Sequence, residues 1–250
     1  MDIIEQLTVF VASLLANTFS AISGGGAGLI QFPVLMFLGL GFSTALATHK
    51  VATVALGLGA TLRNLRTGHI EWSFALYLTL VGVPAVVLGA IAIVQVPEEL
   101  SRFMLGVLTM SLGLYSMVQP GLGREYQPVH RDPRGMVLGA LLLFVVGFLN
   151  GSLTSGTGLF ATMILVKWFG FDYKRAIVYV MLSVGLFWNG IGGFTLAFIA
   201  EIKWSWMPAL LLGSFLGGYA GAHVAILKGN RLIKRSFEVV TILVGLKLLI

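Results

Sequence analysis

Apolar segments follow one another along this chain, at about residues 7–22, 28–42, 46–62, 72–95 and 100–118, then 135–153, 158–169, 176–199, 204–227 and 236–250. Several approach the roughly 20 residues that an α-helix needs to cross a bilayer core of about 30 Å. A soluble fold of 250 residues could not clothe them, because charged residues make up only 10% of the chain, against roughly 25% in soluble proteins. The mean hydropathy is +0.95, so the solvent for these surfaces is lipid. Disorder, a nucleic-acid module and a secreted disulfide scaffold are excluded together. Cysteine is absent, which removes disulfides and thiolate metal sites. The first residues carry Asp2 and Glu5 and no base, so a retained N-terminus is expected, with a cleaved signal peptide as the alternative.

The basic residues set the path. Loop 63–71 holds Arg63 and Arg66, and loop 119–134 holds Arg124, Arg131 and Arg134. Segment 167–175 adds Lys167, Lys174 and Arg175, and 228–235 adds Lys228, Arg231, Lys234 and Arg235. These are most of the 16 Lys and Arg, and such residues collect on the cytoplasmic side. Placing all four clusters there makes 7–42 a hairpin that leaves and re-enters the outer face. Segments 46–62, 72–95 and 100–118 then cross. After the cytoplasmic linker 119–134, segment 135–169 is a second hairpin, opened from the inner face, and 176–199, 204–227 and 236–250 cross. Both termini are expected outside. The net charge of +6 is an address within the membrane, and nucleic acid is not an expected partner.

The chain thus divides into like halves, 1–118 and 135–250, each a hairpin followed by three crossings. Gly26-Ala27-Gly28-Leu29 lies over Gly156-Thr157-Gly158-Leu159, and Gly41-Phe42 lies over Gly170-Phe171. Ile70-Glu71-Trp72 likewise matches Ile202-Lys203-Trp204. Three crossings are an odd number, so the second half is inserted upside down. The expected fold is all-α and polytopic, with two inverted-topology repeats of the kind found in secondary transporters.

Two breaks carry the chemistry. They read Ser23-Gly24-Gly25-Gly26-Ala27-Gly28 and Thr154-Ser155-Gly156-Thr157-Gly158, and each precedes a segment too short to cross. Glycine costs a helix about 1 kcal/mol relative to alanine, so such runs unwind it. Unwound backbone at membrane depth is tolerated inside protein or beside a watery cavity. The half-helix that starts there aims free N–H groups and partial positive charge at the midplane, which favours an anion. Hydroxyls of Ser23, Thr154, Ser155 and Thr157 are candidate donors. Scattered glycines such as Gly82, Gly89, Gly217, Gly218 and Gly221 are read as points of close helix approach.

All ten acidic residues fall in loops or near segment ends, Glu238 among them, whereas carboxylates are the usual intramembrane partners of protons and cations. What enters the membrane is Thr48-His49-Lys50. Two readings of Lys50 stay open: it snorkels to the outer surface, or it faces the bundle interior and offsets an anion. Gln31, Asn150 and Asn189, with Asn17 and Trp188, are candidates for the site or for interhelical hydrogen bonds. The histidines, His49, His69, His130 and His223, are dispersed without metal-ligand spacing. No metal, no cofactor and no enzymatic activity are expected.

The stretch Ser-Gly-Gly-Gly-Ala-Gly-Leu-Ile-Gln-Phe-Pro-Val-Leu at 23–35, the Gly-Phe turn at 41–42 and Ala45-Leu46-Ala47-Thr48-His49-Lys50 together resemble the TauE/SafE sulfite exporter family. His49 stands where Asn is common in that family, and Lys50 has no basic counterpart in the second half. The resemblance implies two inverted four-element repeats and transport of sulfite, sulfonates or related anions across the bacterial inner membrane, often outward. The expectation is therefore a secondary transporter working by alternating access, with a small anion and the lipid bilayer as partners. The anion is expected between the hairpin tips, near Ser23, Gly24, Gly25, Gly26, Gly28, Gln31, Thr48, His49 and Lys50 on one side. Asn150, Thr154, Ser155, Gly156, Thr157, Gly158 and Asn189 are expected on the other. A passive anion channel, a carrier of another organic anion and a non-transporting assembly subunit are the rival readings, and self-association is left open.

Overall fold

A computed structural model describes residues 3–66, 70–92, 98–119, 121–153 and 156–249, and the regular structure among them is entirely helical. Six helical stretches among the described residues are long and apolar enough to cross a membrane. The chain is a multi-pass membrane protein.

The first hairpin is broken by backbone geometry. Helix α1 (Ile3–Ser23) ends where Gly24, Gly25 and Gly26 adopt φ of +85°, +149° and +102°, a region that side-chain-bearing residues avoid. The chain restarts as α2 (Ala27–Phe37), of 11 residues. The second hairpin repeats this construction. Helix α6 (Pro133–Ser152) starts from Asp132, whose carboxylate accepts from the Gly135 N–H at 3.4 Å, with proline in the first turn. Gly156, at φ +75°, then precedes α7 (Thr157–Lys167), also of 11 residues. At 1.5 Å per residue each short helix spans about 16 Å, half a bilayer core.

Between the hairpins come α3 (Phe42–Leu65), α4 (Trp72–Ala92) and α5 (Glu98–Val118). Helix α3 begins about one turn earlier than the apolar pattern at 46–62 suggests. After α7, one span contains α8 (Tyr173–Val180), a π-helical stretch at Met181–Trp188 and α9 (Asn189–Ala197). Asp172 caps α8, accepting from the Arg175 N–H at 2.9 Å. The last two expected crossings form one run, α10 (Met207–Leu249), interrupted at Gly229, where φ 72° and ψ −173° take the chain out of the helix.

The basic loops are laced together at one face of the bundle. The Asn230 side chain accepts from the Lys174 N–H and donates to the Arg124 carbonyl, both at 2.9 Å. The Gln127 N–H donates to the Gly170 carbonyl, and the Tyr173 N–H to that of Gly123. Arg63 donates to His223 at 2.9 Å, and the Arg131 guanidinium lies 3.8 Å over the Phe74 ring. At the opposite face Gln6 bonds the Ser205 carbonyl, and Lys247 lies 6.0 Å over Phe37. Both ends of the described chain are therefore on the face away from the basic loops. The α1–α2 hairpin opens from that face, the α6–α7 hairpin from the basic one, and their tips meet inside.

Glycines permit the close packing. Gly213, Gly217 and Gly221 of α10 lie against the carbonyls of Phe10, Leu14 and Thr18 in α1, where an added methyl would come within 2.4–2.7 Å. Gly89 and Gly151 interlock α4 with α6 in the same way. Gly82 faces the fully buried Trp188, whose ring would be 1.9 Å from a methyl at that position. Gly82→Ala is expected to cost about 1–3 kcal/mol through overpacking, seen as a lower melting midpoint in detergent. Gly121→Ala, with nothing within 4 Å, should melt as the unmutated protein does.

Candidate substrate site

The two hairpin tips touch through bare backbone. A Cβ on Gly25 would lie 2.6 Å from the Gly158 carbonyl carbon and the Leu159 nitrogen, and one on Gly158 would lie 2.9 Å from the Gly25 Cα. Around this contact, Ser23 donates its hydroxyl to the carbonyls of Phe19 and Gly25, each at 2.8 Å. The Gly24 and Gly25 N–H groups both go to the Ser20 carbonyl, and the Gly24 carbonyl accepts from Thr162 at 2.8 Å. Neither Gly26 nor Gly156, the residues preceding α2 and α7, provides a side-chain cap. The positive ends of the two half-helices thus converge on one place.

A cavity of about 30 Å³ opens beside the tips. Gly25, Gly26, Ala27 and Gly28 line it from one hairpin, and Asn150, Thr157 and Gly158 from the other. Ser20, His49, Thr53 and Asn189 complete its polar wall, with apolar residues of α8 and the π stretch behind them. About 10–15 Å³ of such space holds one water, so the cavity takes only a few non-hydrogen atoms.

Lys50 is fully buried. It lies eight residues into α3, about 12 Å from the helix start, and does not reach the surface. Its stem passes over Gly192, where a Cβ would come 3.1 Å from the Lys50 Cδ. Its amino group donates to Asn150 Oδ1 at 2.7 Å and to Asn189 Oδ1 at 3.4 Å. Asn150 in turn donates to Thr157 at 2.9 Å and to Asn189 at 3.3 Å, and Asn189 donates to Thr53 at 3.1 Å. The network joins α3, α6, α7 and α9 at the rim of the cavity. Among the described residues the ion pairs are Arg175–Asp172 and Lys234–Glu238, so no carboxylate neutralises Lys50.

The site expected from sequence is only partly assembled in one place. Gly25, Gly26, Gly28, His49, Asn150, Thr157, Gly158 and Asn189 come together, with Lys50 bonded to two of them. Ser23 and Gly24 hold the first tip from within, and Gly156 shapes the second. Thr48 accepts from the Lys203 N–H at 3.0 Å, toward the face opposite the basic loops. Gln31 joins a separate buried cluster with Ser13, Asn17 and Ser214. Thr154 and Ser155 lie outside the described residues. Sequence reasoning passed over Thr53, Ser20 and Thr162. Their one legible signal is a hydroxyl in an apolar helix, Thr53 standing one turn after His49. Glu238, expected near a segment end, turns inward with its side chain 13% exposed. It pairs with Lys234 and accepts from Ser116, which also bonds Tyr173 at 3.0 Å. That cluster clamps α5, α8 and α10 and does not line the cavity.

A bundle of membrane-crossing helices, with two broken hairpins meeting at a polar cavity beside a buried lysine, is the build of a membrane transporter. Comparison with known proteins agrees. The profile of the sulfite exporter TauE/SafE family matches residues 9–248. The chain is 29% identical to a probable membrane transporter protein of Sinorhizobium sp, over 96% of this chain and 91% of that one. It is 29% identical to the probable membrane transporter protein YfcA of Escherichia coli K12, over 96% and 88% of the two chains. A probable membrane transporter protein of Haemophilus influenzae is 28% identical over 99% of this chain and 96% of its own length. No solved structure matches the chain. The chain belongs to the sulfite exporter TauE/SafE family, whose members are transporters and not enzymes.

Proposed function

We propose that this protein carries small sulfur-containing oxyanions, sulfite first among them, out across a bacterial inner membrane by alternating access, with the anion held between the two hairpin tips. The observation that carries the reading is the buried Lys50, held by Asn150 and Asn189 beside the starts of two half-helices. A buried cation without a carboxylate is costly on its own. An arriving anion supplies the missing charge, and the half-helix N–H groups supply hydrogen bonds. The two halves act as inverted repeats, a reading supported by the matching hairpins that open from opposite faces. The basic loops face the cytoplasm by the distribution of Lys and Arg, which puts both termini outside. The family description supports sulfite over other anions, and the size of the cavity supports small anions over bulky sulfonates.

The test is counterflow of labelled sulfite in proteoliposomes, competed by thiosulfate, sulfate, methanesulfonate, toluenesulfonate and acetate. Sulfite and methanesulfonate should compete, and toluenesulfonate should not. Flux without counterflow would replace the carrier with a channel. Protein that neither binds nor moves any of these anions would remove the transport reading.

A further inference from the structure

We infer that His49 is the proton-binding residue of this cavity, so that a proton and the anion bind together and cross together. The inference rests on the reading that an anion occupies the cavity, and adds what the anion is coupled to. His49 forms part of the cavity wall and is 2% exposed. Its Nδ1 is buried and has no hydrogen-bond partner. The large majority of buried polar atoms are paired, so an orphaned ring nitrogen at a cavity wall marks a group whose partner arrives from outside the resting structure.

The groups around His49 narrow what that partner is. Phe32 of α2 packs edge-on, with ring centroids 6.5 Å apart. Ser20 of α1, Asn150 of α6, Thr157 of α7 and Asn189 of α9 also face the cavity, and none of them titrates. Among the described residues helix α10 contributes none to the lining. Among the described residues the titratable neighbour is Lys50, the next residue in α3, and no carboxylate lines the cavity. Imidazole is the side chain that ordinarily exchanges a proton near neutral pH.

A second positive charge beside Lys50, away from water, is unfavourable until an anion sits between them. Linkage makes this reciprocal: the anion tightens proton binding at His49 as much as the proton tightens anion binding. The step moves one proton onto a ring nitrogen and off again, with no bond to the anion made or broken. A dianion with one proton carries a single net negative charge, which an inside-negative membrane potential drives outward. Proton coupling and export are therefore compatible.

The experiment reconstitutes the full chain in proteoliposomes with labelled sulfite at equal concentration on both sides and then imposes a pH gradient. Protein-free vesicles measure leakage of the neutral acid. The unmutated protein should concentrate label on the alkaline side several-fold above that leak. His49→Gln and His49→Asn should show slower counterflow, down by about tenfold, and a steady-state accumulation ratio no greater than the leak. The ratio is a thermodynamic readout that a merely slower carrier would still reach. Unmutated protein that exchanges sulfite but ignores the pH gradient overturns the inference while leaving the transport reading intact. So does a His49 variant that accumulates label as the unmutated protein does. Absence of any exchange by the unmutated protein overturns both.

Discussion

Lys50→Met is expected to abolish sulfite counterflow, lowering its rate at least about 100-fold, and to leave the melting midpoint unchanged or higher. A 100-fold loss corresponds to about 2.7 kcal/mol, the scale of one or two hydrogen bonds to a charged group. Stability moves the other way because a buried cation without a carboxylate opposes folding. Methionine fills the same space above Gly192 without that cost. Asn150 and Asn189 keep their bond to each other and Asn189 keeps its bond to Thr53, while Asn150 Oδ1 loses the donor that Lys50 supplied, a smaller cost than that of the buried cation. Lys50→Arg restores charge but brings a broad guanidinium into a gap bounded by Gly192 and Val86, so it should recover only part of the flux. If Lys50→Met loses flux and stability together, the lysine is there to hold the bundle and its assignment to the anion falls.

The second expectation separates the two hairpin tips. In Gly25→Ala the new methyl meets Gly158 and Leu159 backbone at 2.6 Å, which cannot yield as a flexible side chain could, and φ is +149°. Overpacking of about 1–3 kcal/mol adds to a backbone strain of about 1–2 kcal/mol. Counterflow should disappear, and the melting midpoint should fall by several degrees. In Gly156→Ala the nearest atom is the Thr109 hydroxyl oxygen at 3.5 Å, and only the strain at φ +75° remains. That variant should fold, melt slightly lower and exchange sulfite about tenfold more slowly. Larger residues at Gly25 are poor probes of binding, because they force the tips apart before any anion is considered. Full activity in Gly25→Ala would mean that the tips do not close on one another.

What could be read from sequence is what depends on neighbours in the chain. Apolar length gave the lipid solvent, and the Gly24–Gly26 and Gly156 breaks follow from local backbone preference. The surroundings of Lys50 are not legible in the sequence, which leaves both its snorkelling and its interior placement open. Its partners, Asn150 and Asn189, lie 100 and 139 residues away. Asn189 also follows the π stretch, which shifts the face of the helix out of its 3.6-residue period. Thr48, His49 and Lys50 look like one cluster in a sequence, but successive residues of a helix point about 100° apart. They go to the Lys203 backbone, to the cavity wall and to the two asparagines. Ser23 resembles a ligand donor, yet serine readily bonds its own local backbone, and here it does. The start of α3 at Phe42 moves Lys50 one turn deeper than the apolar pattern implies, enough to change its solvent.

The contact between Gly25 and Gly158 bears on how fast the proposed carrier would turn over. Each pair of heavy atoms at the meeting point contributes only about 0.1–0.2 kcal/mol of attraction. One side-chain hydrogen bond, from Thr162 to the Gly24 carbonyl, joins the hairpins there, and among the described residues no ion pair does. In the proposed carrier such a contact would be shallow in energy, so thermal motion would part it without a fuel-driven stroke. More side-chain bonds at the tips would bind the two hairpins more firmly and slow the proposed cycle. Leaving them out favours throughput over grip.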